Sequence, residues 1–147
     1  MISEVRAVSR DEIMALRVRV LRKGTPVTHC NYPEDDYPDV VHFAISGDVG
    51  PVATSTWFSK ECPERPGVEA MQLKGMAVDE HLQGSGLGAS LVRAGLDLAR
   101  ERGAEIVWAR ARDSALGFYE RLGFVPAGPG FIDEPTGMPH HVVVRTL

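Results

Sequence analysis

The sequence predicts a mixed α+β fold built on a central sheet, and two observations support this expectation. Apolar residues recur at helical spacing after residue 9 and again after residue 86. Short runs rich in β-branched residues lie between and beyond these segments, separated by turns that contain Gly and Pro. Because no repeat, low-complexity tract or linker divides the chain, we expect a single domain over residues 1–147.

The first part of the chain predicts a strand, a helix and a long connection. Apolar and polar residues alternate from Ile2 to Val8, which is typical of a strand. Ser9 and Glu12 have the spacing of a capping box, and the helix that they begin is expected to end near Gly24. The stretch from Thr25 to Asp39 is rich in Pro, Asn and acidic residues, so we expect a long loop or a broken helix.

A hairpin and a long strand follow. The β-rich runs Val40–Ser46 and Val52–Phe58 flank a turn over Gly47–Pro51, which predicts the hairpin. Val68–Val78 is the next strand candidate, and Gly75 lies in its middle. A glycine inside a strand indicates a bulge or a close backbone approach.

The second half predicts two helices and two strands. The stripe from Leu87 to Leu98 is that of an amphipathic helix, and Ile106–Ala109 is a short buried strand. A second helical stripe runs from Ala115 to Leu122. Pro126–Pro139 is punctuated by Gly and Pro and is expected to be a loop, whereas His141–Leu147 is a terminal strand.

Composition excludes several classes of protein. With 44% hydrophobic and 24% charged residues, the chain is globular and not disordered. A net charge of -4 does not suit nucleic-acid backbones, and no apolar run approaches the roughly 20 residues of a membrane span. No secretory signal is recognisable, so we expect a cytoplasmic location. Cys30 and Cys62 lack the spacing of a zinc site or a disulfide framework, and we expect no metal.

The most informative segment is a glycine-dense turn, Gln83-Gly84-Ser85-Gly86-Leu87-Gly88, between a strand and a helix. Glycines let the backbone curl so that its N–H groups converge, and a helix N-terminus adds a partial positive charge. Such a turn binds phosphate or pyrophosphate without Lys or Arg. The alternative is a turn that only caps the helix.

Two other phosphate-binding families also have a glycine-rich turn before a helix. A P-loop would end in Gly-Lys-Ser/Thr, and Gly88-Ala89-Ser90 has no lysine. A dinucleotide fingerprint fits Gly84-x-Gly86-x-x-Ala89, but Asp79–Gln83 separate the strand from the turn, and no acidic residue ends the next strand. A dinucleotide-binding protein is therefore the less favoured alternative.

Two motifs in order resemble the GNAT superfamily of N-acetyltransferases. Gln83-x-x-Gly86-x-Gly88 is similar to its coenzyme A loop, and Leu73–Asp79 looks like its splayed central strand. Ala115–Phe124 resembles its late helix with the Tyr-x-x-x-Gly-Phe ending. The resemblance implies a GNAT-like acyl-CoA N-acyltransferase fold of the α/β (α+β mixed) class. Its central, mostly antiparallel sheet would have six to seven strands and about four flanking helices.

The resemblance also implies acetyl transfer from acetyl-CoA, as co-substrate, to a primary amine of a small molecule or peptide by direct attack in a ternary complex. The turn would hold the pyrophosphate, β-strand backbone would pair with the pantetheine arm, and one backbone N–H near Met76 or Ala77 would polarise the thioester carbonyl. The implied cofactor-binding residues are Met76, Ala77, Val78, Gln83, Gly84, Ser85, Gly86, Leu87 and Gly88.

By the same resemblance, Tyr119 is the catalytic residue, a general acid for the departing thiolate. The alternative places Tyr119 in the core stripe with Phe118. Arg112 stands where many family members carry Asn, and its role is open between a CoA phosphate contact and a solvated surface charge. Asp113 or Ser114 is expected to cap the following helix.

The general base and the acceptor are not readable from the sequence. His42 and His140 are candidate bases, but a structural role is the better interpretation of each. The acceptor site is expected in Thr25–Asp39 and Pro126–Pro139. The carboxylates of the first segment are interpreted as a solvated loop, or else as groups that attract a cationic amine. They are Glu34, Asp35, Asp36 and Asp39.

A non-catalytic acyl-CoA-binding module is the main alternative to an enzyme. Tyr119 favours the enzyme, because a binding module needs no acid for a leaving group. A second copy of the chain is a further candidate partner, since Val142–Arg145 is an apolar terminal strand that could pair across chains.

Overall fold

The computed structural model describes residues 2–147, which form a seven-stranded sheet, three α-helices and three short 3-10 helices. The strands are β1 (Arg6–Val8), β2 (Val41–Ser46), β3 (Pro51–Ser59), β4 (Ala70–Val78), β5 (Ile106–Arg112), β6 (Val125–Ile132) and β7 (Pro139–Thr146). The α-helices are α1 (Arg10–Leu21), α2 (Leu87–Glu101) and α3 (Leu116–Arg121). The 3-10 helices are Pro33–Asp36, Glu80–Leu82 and Asp113–Ala115.

The sheet has the strand order β1-β2-β3-β4-β5-β7-β6, which confirms the predicted mixed fold and its strand number. β4 and β5 are parallel, whereas β1–β2, β2–β3, β5–β7 and β6–β7 are antiparallel. Over residues 2–147 there are three α-helices, against about four expected. The connection after α1 contains Pro26, Pro33 and Pro38, which donate no backbone hydrogen bond, and it forms only a 3-10 helix.

The chain divides into two compact units. The first comprises the chain up to Phe58 together with Lys74–Gly95. Its apolar core centres on Ile45, Ala53 and Leu91, which lie on β2, β3 and α2. Helix α1 begins with the predicted capping box, in which the Ser9 N–H donates to the Glu12 carboxylate (3.3 Å).

A buried arginine holds the irregular connection of the first unit. The guanidinium of Arg17 donates to both carboxylate oxygens of Asp35 (2.8 Å each), to the Cys30 carbonyl oxygen (3.0 Å) and to Thr56 Oγ1 (2.7 Å). Burial opposes ionisation of Asp35, but hydrogen bonds from Arg17 and from the Tyr32 N–H outweigh it and lower the pKa of that carboxyl. The prediction that this aspartate is solvated was therefore wrong.

The second unit comprises Ser59–Leu73 and Leu96–Leu147. Here the first residues of β4 pair with β5, from Ala70 opposite Ile106 to Leu73 opposite Ala109. The core includes Cys62, Trp108 and Val144.

Two predictions for this unit were wrong. Pro126–Pro139 is not a loop throughout, since it contains most of β6. The strand pairs with β7 and has an irregular register between Ala127 and Phe131. Its prolines are tolerated because β6 lies at the edge of the sheet. Val142–Arg145 cannot pair with a second chain, because β7 has β5 on one side and β6 on the other.

No helix in residues 2–147 is long and apolar enough to cross a membrane. Over the same residues, no group of three or more His, Cys, Asp or Glu side chains is arranged to hold a metal ion.

The buried His42 predicts how stability depends on pH. Burial and the charge of Arg17 lower the pKa of His42, whose Nδ1 lies 2.8 Å from Thr56 Oγ1. The unfolded chain therefore binds a proton near the ordinary pKa of 6.5, whereas the folded chain binds it only at lower pH. We expect the Tm to fall as the pH is lowered from about 7.5 to 5.5, and His42→Gln to reduce that slope.

Calorimetric unfolding across this pH range measures the slope. His29→Gln removes an exposed histidine and should leave the slope as in the parent chain. If His42→Gln retained the full slope, buried His42 would not be the group responsible.

Candidate functional site

The glycine-dense turn connects the 3-10 helix after β4 to the first residue of α2. Gly84 and Gly86 have φ angles of +84° and +89°, which side chains of L-residues rarely allow. A Cβ atom at either position would meet no heavy atom within 4 Å. The two glycines are therefore required by the backbone conformation and not by crowding, and the space over the turn is open.

Several backbone N–H groups of this turn are free to bind an anion. The helical hydrogen bonds of α2 begin with the Ser90 N–H and the Gly86 carbonyl oxygen (3.1 Å), so the N–H groups of Leu87 and Gly88 precede them. The hydrogen bonds of residues 2–147 also give no partner to the N–H groups of Gly84 and Gly86. These donors lie at the N-terminus of a helix of 15 residues, where partial positive charge accumulates.

Two members of the predicted loop use their N–H groups within the turn. The Gln83 N–H donates to the Glu80 carbonyl oxygen, and the Ser85 N–H donates to the Leu82 carbonyl oxygen (3.3 Å each). The side-chain amide of Gln83 donates to the carbonyl oxygen of Val78 (3.1 Å). Gln83 and Ser85 thus shape the turn, and the donors left for a ligand come from its glycines and from the start of α2.

Helix α1 holds the beginning of the turn through two ion pairs. Arg19 forms a two-pronged contact with Asp79 (2.9 and 3.1 Å), and the Asp79 N–H also donates to the Val52 carbonyl oxygen (2.8 Å). Lys23 contacts Glu80, and its hydrogen bond and positive charge lower the pKa of that carboxyl. These residues follow β4 directly and were missed by the sequence analysis, because their partners are about sixty positions earlier.

The irregularity predicted in β4 lies at Gly75, where φ is +66°. A Cβ there would lie 3.0 Å from Tyr32 Cε2 and 3.3 Å from Arg17 Nε, so glycine is required both by conformation and by packing. Beyond it, the side chains of Met76 and Val78 pack against the core of the first unit. The predicted contact with a ligand would therefore have to use the backbone of these two residues, of which the Val78 carbonyl oxygen already accepts a hydrogen bond from Gln83.

A second group of residues missed by the sequence analysis surrounds the Tyr32 ring. Arg17 Cζ and Lys74 Nζ each lie 4.5 Å from its centroid, and Lys74 also pairs with Glu34 (2.9 Å). Burial, followed by the neighbouring Cys30 thiol, raises the pKa of the Tyr32 phenol. Glu34 is buried as well, so the expectation of a solvated loop was wrong for this carboxylate too.

An open cleft of about 1050 Å³ also lies in the first unit. Its walls come from α1, from the β2–β3 turn and from Asp79–Gln83. It includes the Arg19–Asp79 and Lys23–Glu80 pairs, whose charges are already matched.

Tyr119 belongs to the second unit, on α3. It is 7% exposed and makes edge-to-face contacts with Phe118 and Phe124, with centroids 5.1 and 5.3 Å away. Burial raises the pKa of its phenol above the ordinary value. Tyr119 keeps its phenolic proton at neutral pH, as an ordinary tyrosine does, and it packs in the core as the alternative interpretation holds.

The two candidate bases have structural partners. His42 Nδ1 contacts Thr56 Oγ1, and His140 Nδ1 lies 2.9 Å from the Met138 carbonyl oxygen. The His140 ring also stacks on Phe131, with centroids 5.7 Å apart. The preferred interpretation of both histidines as structural agrees with these contacts.

The predicted cap of α3 was wrong. Ala115 occupies the N-cap position, and no side chain forms a capping hydrogen bond there. Asp113 instead contacts His141, with Oδ1 2.7 Å from Nδ1. The two residues are 28 positions apart, so no local sequence signal could reveal their pairing.

Comparison with known proteins identifies the family. The profile of the Acetyltransferase (GNAT) family matches residues 19–124, which include the glycine turn and Tyr119. The uncharacterized N-acetyltransferase YitI of Bacillus subtilis (strain 168) is 28% identical over 145 residues, covering 98% of this chain and 96% of that protein.

Solved structures share the fold at low sequence identity. Escherichia coli ElaA matches with a TM-score of 0.75 and 20% identity, covering 99% of each chain. A chain of the NatC complex bound to Gag peptide and CoA matches with a TM-score of 0.72 and 12% identity, covering 98% of this chain and 99% of that one. The match of the family profile across most of the chain shows that this protein belongs to the acetyltransferase (GNAT) family and is an acyltransferase that uses an acyl-CoA donor.

Proposed function

We propose that the protein transfers an acetyl group from acetyl-CoA to a primary amine of a small molecule or peptide. The observation that carries this proposal is the set of unpaired N–H groups at Gly84, Gly86, Leu87 and Gly88. A coenzyme A pyrophosphate carries concentrated negative charge and matches such donors. The NatC complex, which shares the fold, was solved with CoA and a peptide, and this supports the same classes of donor and acceptor here.

The proposed reaction is direct transfer in a ternary complex. The lone pair of the neutral amine attacks the thioester carbonyl carbon, and the C–N bond forms while the carbonyl electrons move to oxygen. A backbone N–H near Met76 or Ala77 stabilises this oxyanion. The electrons then return, the C–S bond breaks, and the nitrogen loses one proton to a base or to water. The products are an N-acetyl amide and free CoA.

Tyr119 is the proposed acid of this reaction. The departing thiolate takes the phenolic proton, and the proton lost by the amine restores the phenol through solvent. The position of Tyr119 in the Tyr-x-x-x-Gly-Phe ending, within the residues that the family profile matches, supports the role. It also favours an enzyme over a non-catalytic acyl-CoA-binding module. A single catalytic domain over residues 1–147 and a cytoplasmic location belong to the same proposal.

Substitution of Gly86 tests the anion site. Gly86→Ala adds a methyl group to open space over the turn and strains a φ of +89°, so we expect acetyl-CoA affinity to fall about tenfold. Gly103→Ala is a matched control, because Gly103 has a φ of +77° and equally open surroundings at the end of α2. Calorimetric titration measures the Kd for acetyl-CoA of the parent chain and of the two variants. Equal losses of affinity in the two variants would contradict the proposed site.

Substitution of Tyr119 tests the acid. Tyr119→Phe keeps the ring and its aromatic contacts but removes the proton, so we expect kcat to fall by about 10²-fold or more while the Kd for acetyl-CoA stays within about twofold. The assay is CoA thiol release with the fastest acceptor from a panel of primary amines, including a polyamine, an amino acid ester and a peptide N-terminus. An unchanged kcat would remove Tyr119 from the chemistry.

A further inference from the structure

The helix that carries Tyr119 is too short to fix its own position. α3 has six residues, from Leu116 to Arg121, and isolated helices of this length are unstable in water. Its first turn also lacks a side-chain cap. Contacts with other elements must therefore hold this helix in place.

Two such contacts come from one strand, β7. At the N-terminal end, Asp113 Oδ1 lies 2.7 Å from His141 Nδ1. At the C-terminal end, Arg145 Nε donates to the Leu122 carbonyl oxygen (3.2 Å). His141 and Arg145 are four residues apart on β7, so their side chains share one face of the strand. Tyr119 lies between the two attached ends.

The dimensions of the two elements agree. The four residue steps from His141 to Arg145 along the strand span about 13 Å. The nine residue steps from Asp113 to Leu122, through 3-10 and α-helix, span roughly 14 to 15 Å. The strand can therefore hold both ends of the segment at once without bending it.

Gly123 leaves room for the Arg145 side chain to reach the Leu122 carbonyl oxygen at the end of α3. It has a φ of +87°, and a Cβ there would lie only 2.8 Å from Arg145 Nε. Any side chain at this position would push the guanidinium from the last carbonyl groups of α3. The chain thus accommodates Arg145 at the place where the helix ends.

We propose that His141 and Arg145 of β7, through Asp113 and the Leu122 carbonyl, are positioning residues that hold Tyr119 where it protonates the leaving thiolate. Neither residue reacts. This inference rests on the proposed acid role of Tyr119. It assigns a function to the Asp113–His141 pair, which the reaction otherwise does not use.

The leaving group gives a readout that a purely structural role would not move. In the selenoester analogue of acetyl-CoA, selenium replaces the thioester sulfur, and the leaving group is a selenolate. A selenolate is a far weaker base than a thiolate, so its departure does not need the proton of Tyr119. Asp113→Ala should lower kcat with acetyl-CoA about tenfold, with KM within about twofold, because misplacing a catalytic group reduces the rate more than binding. With the selenoester, the same variant should approach the parent rate.

Four further variants sharpen the test. Asp113→Asn keeps an oxygen that can accept from His141 and should retain most of the activity. His141→Ala should lower kcat with acetyl-CoA by the same factor as Asp113→Ala. The double variant should lower it no further, since each single substitution already removes the same Asp113–His141 contact. Asp97→Ala is the control: it removes the contact of a different aspartate, with Arg100 on α2, and should leave kcat unchanged.

The outcomes separate the inference from the proposed function. If Tyr119→Phe is slow with acetyl-CoA and Asp113→Ala is not, the positioning role is overturned and the acid role stands. If Asp113→Ala lowers kcat by the same factor with acetyl-CoA and with the selenoester, its effect is structural and the inference is again overturned. If Tyr119→Phe keeps full activity, the acid role fails, and the inference fails with it.

Discussion

The buried ion pair between Arg17 and Asp35 is the interaction on which the first unit depends. Together with the Cys30 carbonyl and Thr56, it joins α1, β3 and a connection that, within residues 22–40, forms only one 3-10 helix. Removing one partner would leave an uncompensated buried charge, which typically costs about 3–5 kcal/mol. The same guanidinium lies beside Gly75 of β4, where a Cβ atom would be 3.3 Å from Arg17 Nε.

After Gly75 of β4, the candidate acyl-CoA site consists of backbone groups. Met76 and Val78 turn their side chains into the core, and the turn before α2 offers N–H groups at two open glycines and at the helix start. Backbone donors are held by the fold itself, so they need little reorganisation when a phosphate binds. The ion pair of Arg19 with Asp79 holds the turn at its beginning. In the proposed function, affinity for the acyl-CoA would therefore depend on how the chain folds locally more than on any one charged side chain.

The sequence revealed what is local and missed what is distant. The capping box at Ser9, the hairpin, the glycine in β4 and the turn before α2 all follow from the spacing of neighbouring residues, and the structure has each of them. Strand β6 was missed because its glycines and prolines are those of a loop, and only its partner β7 makes it a strand. The contacts of Arg17 and His141 join residues 18 and 28 positions apart, where one sequence carries no pairing signal.

Titration of the purified protein with acetyl-CoA, CoA and NAD in parallel tests the central claim most directly. The claim is that the free N–H groups of the glycine turn bind the pyrophosphate of an acyl-CoA. Binding of acetyl-CoA and CoA at one site per chain, both weakened by Gly86→Ala and neither by Gly103→Ala, is the expected result. Binding of NAD in their place, or binding of acetyl-CoA that is indifferent to Gly86, would contradict the claim.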